Sequence, residues 1–502
     1  MAGLILPTQM EAQFPPLGVP GGAVRVDLDG TLESFDLRFH NGVRESYAAD
    51  LASPALGSDR IPILADADAR IGRIISNPGY RINLGALTTD AEADVGTGFL
   101  GLSLGLTNSI TIFGRIPLVQ SRVQSAMDLD ASSADAGLDP GADQLPFFNE
   151  MDAALATLSA KLAAGDYNGD PSQRALAEAT LADATVLRAD LFGLLADPAM
   201  ASPALPTTTS AAGVAMNARI AALQTTLSSS LSVPGFTLVP TLPTAVMTEA
   251  DLNQLLTSPA GPVAVRLSES KVTFRGDAEV GATLTLVDRW DRGTSRGGFR
   301  AAVSGLARLP TGQRERSDHP LDIGTGDGQT DLQVDLVTDL GAGAFGARLT
   351  GSYVRQFAAD IITRVAPPSQ PFAGPDRLAM VHWDPGDIVA IGVHPFYRLA
   401  RTFALRAGVD HWSRSTDSYA YSTPADALPG IDANVLAEES AANATALVLG
   451  FTYSNPGALR RGGTGMPVDA GWTYERVIRA GGGRVPDSHA IRAQLRVYFG
   501  LW

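Results

Sequence analysis

Residues 489–502 alternate without a break. Ile491, Ala493, Leu495, Val497, Phe499 and Leu501 fall on one face, and Arg492, Gln494, Arg496 and Tyr498 on the other. Side chains repeat every second residue along a strand, so this stretch reads as a strand rather than a helix. A soluble sheet seldom covers a face that carries two arginines and a glutamine. A membrane β-barrel does so routinely, with apolar residues to lipid, polar ones to the lumen and aromatics at the boundary. The closing signal of such barrels puts the last aromatic in phase with the lipid face. Here Leu501 is in phase and Trp502 is not, which is a departure. The expectation is an all-β membrane protein, an antiparallel transmembrane β-barrel, with a soluble all-β protein as the alternative.

The rest of the composition fits that expectation. The 502 residues carry a net charge of −15 with no basic cluster, which argues against a nucleic-acid partner. There is no cysteine, so disulfides, thiolate metal sites and cysteine nucleophiles are excluded, and the chain suits an oxidising envelope compartment. Hydrophobic residues make up 45% of the chain. Even so, no apolar run approaches the ~18 residues a membrane helix needs. The segment Met1 to Pro7 lacks a basic stretch and is too short in apolar residues for a secretory signal. Any export signal is therefore expected to be absent from this numbering.

Alternation marks three early strands, at residues 22–39, 91–106 and 110–120. From 127 to 262 the pattern changes to helical spacing: Leu155, Leu158 and Leu162 form one stripe, residues 176–195 a second and 212–231 a third. Thr248 with Asp251 reads as the capping box of a fourth helix. Helices cannot be barrel wall, so 127–262 reads as an α-helical insertion between barrel segments 1–126 and 263–502. Alternation resumes at Lys271. Val272, Phe274, Val280, Leu284 and Leu286 are expected on one face, and Thr273, Arg275, Asp277, Glu279, Thr283 and Thr285 on the other. Further strands bring the total to about twelve, an even number as bacterial single-chain barrels require. Tight links follow strands two, six and eight, and a moderate one follows strand four. Long Pro/Asp/Gly-rich links follow odd strands, and the long link 454–470 breaks the pattern. Short turns are periplasmic and long loops extracellular in this class, so the insertion is expected outside.

Several segments resemble a known family, the outer-membrane barrels grouped with the meta-pathway of phenol degradation. They are residues 105–118, Leu309 to Gly312 with 322–331, Pro385-Gly386-Asp387, and His394 to Leu399. The resemblance covers most of the barrel and little of the insertion, and none of the segments is a catalytic motif. It implies an outer-membrane transporter that passes small hydrophobic or aromatic compounds.

Projected inward, the strands place Arg115, Arg275, Asp277, Glu279, Arg300, Arg308, Asp331, Asp335, Asp339, Arg348, Arg406, Asp410, Glu475, Arg492 and Arg496 along the lumen. Such a lining is either a constriction that selects solutes or an ion-pair network that fills a narrow barrel. Asp166, Asn168 and Asp170 alternate like the start of a calcium loop, but position twelve would be Ala177 and Pro171 follows at once. A polar turn between helices is the plainer reading, and no metal site is assigned. The cluster Asp322, Asp327 and Asp331 reads as a turn feeding a strand. His394 and His411 have no Gly-x-Ser-x-Gly partner, so no catalytic site and no cofactor is expected. The five tryptophans lie near strand ends, where an interfacial girdle is the default.

The expected function is a channel or transporter for small solutes in the bacterial outer membrane. The alternative is a barrel-anchored surface protein whose helical insertion binds a protein partner. Outer-membrane lipid, a small-molecule solute and the barrel-assembly machinery, engaged through the C-terminal strand, complete the expected partners.

Overall fold

The structure is a computed structural model that describes residues 17–291, 297–455, 459 and 466–501. Twelve wall strands close on themselves. They are β1 (Ala23–Phe35), β2 (Ala86–Gly105), β3 (Ile110–Asp130) and β4 (Ser270–Arg275, continued by Ala278–Asp291). Then come β5 (Gly297–Leu309), β6 (Asp331–Ala342), β7 (Phe345–Gln356) and β8 (Ile388–Arg398). The wall ends with β9 (Phe403–Arg414), β10 (Ala442–Ser454), β11 (Val468–Gly481) and β12 (His489–Gly500). Each strand pairs antiparallel with the next. β12 returns to β1 in continuous register, from Ala23↔Gly500 to Ser34↔His489. Closure matters because a strand edge in lipid would leave its N–H and C=O groups without partners.

The alternation seen in the sequence becomes a belt. Leu100, Leu102, Ile112, Ile116, Leu284, Leu336, Val393, Val409, Leu449 and Leu495 are all exposed on the outer face. An apolar surface continuous around the wall is untenable in water and is the expected face toward lipid. Near the end with the tight turns, Phe345 lies 4.9 Å from Tyr397, and Phe451 lies 5.6 Å from Phe403 and 6.0 Å from Trp472. These rings form a partial interfacial girdle. Trp472 follows the expected placement. Trp290, Trp383 and Trp412 are buried instead, and Trp502 lies outside the described residues.

One wall strand breaks the expected parity. Arg115 pairs with Glu279 but Leu118 pairs with Arg275, so three steps on β3 face four on β4. The extra residue at Gly276–Asp277 is a bulge, and a one-residue slip exchanges the two faces of everything beyond it. Leu118 is on the outer face, so Arg275 is too: it is exposed and donates to the Thr311 carbonyl at 3.1 Å. Arg275 therefore does not line the lumen. Val272 and Phe274, expected on the lipid side, pair with Ser121 and Val119 of the inner face.

Long connections gather at the end opposite the turns. Between β1 and β2 lies α1 (Ala65–Ile74); between β3 and β4 lie α2 (Leu145–Ala164), α3 (Pro171–Leu195), α4 (Ala211–Thr225) and α5 (Glu249–Thr257). β3 runs to Asp130, ten residues past the expected strand end at 120 and three past the expected start of the helical part at 127. The helices do not pack only on one another. Leu158, Leu187, Leu191, Met216, Ile220 and Leu255 share one core with Leu56, Ile61 and Ile71, and with Ala93 and Val123 of the wall. Each fully buried Leu or Ile contributes roughly 1.5–3 kcal/mol. Asp190 of α3 takes Arg73 of α1 at 2.6 Å, which ties the two insertions together. Local signals match: Thr248 and Asp251 form both bonds of the capping box, and Asp170 caps α3 by accepting from Ser172 and Gln173 N–H.

Candidate functional site

Inside the wall, β1 through β7 form a zipped hemisphere of ion pairs. Asp339 of β6 accepts from Arg300 of β5 at 2.5 Å and from Arg348 of β7 at 2.6 Å, and all three are buried. Glu279 pairs with Arg115 and with Arg308, the latter at 3.3 Å. Arg308 also reaches Asp331 at 2.7 Å and Gln333 at 3.4 Å, and Gln333 in turn donates to Asp335 at 2.7 Å. Arg496 of β12 and Arg25 of β1 meet at Asp27, at 3.3 and 2.7 Å, with Ser103 Oγ donating to the same carboxylate. Antiparallel register explains these contacts, because residues directly opposite share a face: Arg300↔Asp339 and Arg308↔Asp331 are such pairs. Buried charge demands pairing of this kind.

The bulge has its own role. Asp277 turns its carboxylate to the connection between β5 and β6, accepting from Gly312 N–H at 2.7 Å and Asp327 N–H at 3.3 Å. That connection folds back over the inner wall, with Ser121 Oγ donating to the Ile323 carbonyl and Ser270 Oγ to Asp322. The acidic cluster at 322–331 is thereby resolved into separate jobs: Asp322 holds the loop, Asp327 accepts from Gln329, and Asp331 pairs with Arg308.

The remaining wall, β8 to β12, is built differently. His394 of β8 meets Asp410 of β9 at 2.9 Å. Arg492 donates to a hydroxyl, Thr31 Oγ1, at 3.2 Å. Arg406 has Nε and Nη1 buried without a hydrogen-bond partner, and Arg348, Arg492, Asp410 and Glu475 surround it. Toward the turn end, Asp469 accepts from Ser454 at 2.6 Å and from Tyr498.

Sequence reasoning left out Arg25, Asp27, Glu33, Asp469 and His394 as lining groups. The alternation of residues 24–29 carried the signal for the first two. Trp290 was placed at the lipid interface but faces inward, because the Arg300 and Arg398 guanidiniums lie over its ring at 5.0 and 5.6 Å.

A cavity of about 100 Å³ remains between the turn end and the middle of the barrel, lined among others by Arg25, Phe99, Phe113, Arg115, Thr283 and Ser304. That volume is room for several waters. Leu17 and Gly18 also line it. The segment before β1 runs inside the barrel, where Val19 N–H donates to Thr111 Oγ1 at 2.8 Å and Gly21 N–H to Asn108 at 3.2 Å.

No group of His, Cys, Asp and Glu suited to a metal ion occurs among the described residues. Asp170 is committed to its helix cap, and Asn168 Oδ1 accepts from Arg174 at 2.5 Å. The weak calcium reading of Asp166, Asn168 and Asp170 is replaced by a turn between α2 and α3, with Gly165 left-handed at φ 82° closing α2.

No protein-family model matches the chain, and no curated protein matches it. Among solved structures, it is similar to an outer membrane channel from Pseudomonas putida F1, at 9% identity over 96% of this chain and 97% of that one, TM-score 0.44. It is also similar to the transport unit of the autotransporter AIDA-I from Escherichia coli, at 6% identity over 98% and 94%, TM-score 0.35. A third is the toluene transporter TodX from Pseudomonas putida, at 9% identity over 96% and 90%, TM-score 0.24. At these scores the likenesses carry no weight beyond the chain's own architecture. By its strand pairing and apolar belt, the chain is a transmembrane β-barrel of the bacterial outer-membrane type.

Proposed function

We propose that this protein is an outer-membrane channel for small solutes. The observation that carries the reading is the contrast across the wall: an apolar belt outside, and inside it a polar, charge-lined lumen with a residual cavity. An anchor alone has no need of a lumen lined by both signs of charge along its length. The lining residues from Arg115 to Arg496 named from the sequence, Arg275 excepted, are proposed as the groups that a passing solute meets. The resemblance to barrels grouped with phenol degradation supports small hydrophobic or aromatic compounds as the solute class. Tight turns are proposed to face the periplasm, and the long loops and helices the exterior. The C-terminal strand is proposed as the segment that the barrel-assembly machinery engages.

The test is transport by the purified full chain. In planar bilayers it should give discrete single-channel steps, and liposomes containing it should take up small aromatic solutes faster than empty ones. Absence of both signals would sink the channel reading and leave the barrel as an anchor for its helical cap. Protease applied to intact cells should cut the cap. Cleavage only after the periplasm is opened would reverse the orientation.

A further inference from the structure

Every arginine of the zipped hemisphere meets a carboxylate, and the far wall breaks that rule at one level. From β9 to β1 the register runs Arg406↔Gly450, Gly450↔Thr473, Thr473↔Arg492 and Arg492↔Thr31. Direct partners share a face, so two arginines stand on the inner wall with only a glycine and a threonine between them. Gly450 adds no side chain and the Thr473 methyl leans over it, so the recess between the two guanidiniums is shallow. Arg406 supplies the second observation: Nε and Nη1 are buried and bond to nothing. A buried charged donor left without a hydrogen bond is unfavourable, so Arg406 is open to an added acceptor; Asp410 and Glu475 lie near it but do not bond to these two nitrogens. Phe396 stands directly opposite Arg406 on β8, away from the recess, with its ring over Gly346 and toward Trp290. Glu475, two residues from Thr473 along β11, limits the place to one negative group, because a second carboxylate would meet it.

We propose that the Gly450–Thr473 recess between Arg406 and Arg492 is a binding subsite for small monocarboxylates, with Arg406 the principal donor. A carboxylate matches the fork of a guanidinium. The proposal rests on the channel reading for its physiological use, though binding itself does not require conduction.

Benzoate is the probe and benzyl alcohol its uncharged counterpart. Binding of each to the full chain in detergent micelles is followed by saturation-transfer NMR, and benzoate block of single-channel current is recorded in bilayers. Arg406→Gln should weaken benzoate by about tenfold or more, the loss expected for a hydrogen bond between charged groups. It should leave benzyl alcohol unchanged, and Arg492→Gln should act in the same direction. Arg406→Lys should retain part of the affinity, since it keeps the charge and loses the fork. Arg401→Gln, in the exposed turn between β8 and β9, should change nothing. Heat-modifiable migration verifies that each variant has folded. Unaltered benzoate binding in Arg406→Gln, or equal loss of both probes, would overturn the proposal. Benzoate binding through Arg406 in a chain that never conducts would support the subsite and remove the channel reading.

Discussion

Arg275 stands directly opposite Leu118, and both lie on the outer face of the wall. The relationship follows from the single extra residue at Gly276–Asp277. It separates two positions that look equivalent in the sequence, Arg275 and Glu279. Arg275→Ala should therefore change stability by no more than about 0.5 kcal/mol, as at an ordinary surface position, and leave conductance alone. Leu284→Arg, on the lipid face, should cost roughly 2–4 kcal/mol if it lies near the bilayer midplane, whereas Thr283→Arg should fold and alter passage. Urea unfolding in lipid vesicles measures the first effect. Equal damage from Leu284→Arg and Thr283→Arg would contradict the assignment of faces.

Asp339 is a carboxylate partner shared by Arg300 and Arg348, and all three are buried. Replacing it by Ala takes a buried carboxylate from two guanidiniums at once. Breaking a buried pair typically costs about 3–5 kcal/mol, so Asp339→Ala should lower the urea midpoint by more than any single arginine replacement on the outer face. Asp339→Asn should fall between, keeping an acceptor without the charge.

Gly105 closes β2 against the segment that enters the barrel ahead of β1. A Cβ there would collide with the carbonyl oxygens of Pro20 and Val19. Gly105→Val should push this strap from the lumen while the wall still forms, and single-channel conductance should rise. Thr111→Val, which removes the acceptor of Val19 N–H, should act the same way more weakly. Unchanged conductance in both variants would show that the strap does not limit passage.

His319, in the connection between β5 and β6, is buried, and its Nε2 lies 3.0 Å from the Ser268 carbonyl. Burial holds its pKa below the ordinary histidine value, against the pull of Asp322 and Asp318, with Arg316 adding to the depression. A depressed histidine contributes stability that is present above its unfolded pKa and lost as pH falls through the folded one. Acidification below the usual histidine range should loosen this loop, read as faster amide exchange over residues 312–329 once the intrinsic pH effect is removed. His319→Gln should flatten that response. Equal pH profiles for both proteins would exclude the histidine as its source.

Much of the wall was legible because lipid on one side and charge on the other force a period of two. The terminal strand, the tight turns and the capping box of α5 follow from local chemistry alone. The bulge did not announce itself. Phe274 and Val280 are both apolar, so alternation runs through Gly276 and Asp277 while the faces exchange. The upper part of β3, from Ser121 to Asp130, was missed: the strand was expected to stop at 120 and the helical part to begin at 127. Its inner face packs on helices rather than on a lumen, and the in-out contrast fades there. Trp290 and Trp412 carried an interfacial signature that arginine stacking and interior packing overrode. The recess between Arg406 and Arg492 depends on register across four strands, and no single stretch encodes it.

The seam between β1 and β12 sets an order of events during biogenesis. Thr31 meets Arg492 across 461 positions of sequence, so the wall cannot shut until its final strand has been delivered. The helical cap is synthesised long before that and sits at the end away from the tight turns. A helix is about 10 Å across with its side chains, too thick for the space left in the finished lumen. With the proposed extracellular placement, the cap has to cross while the cylinder is still an open sheet, and the last pairing traps it on the side it has reached.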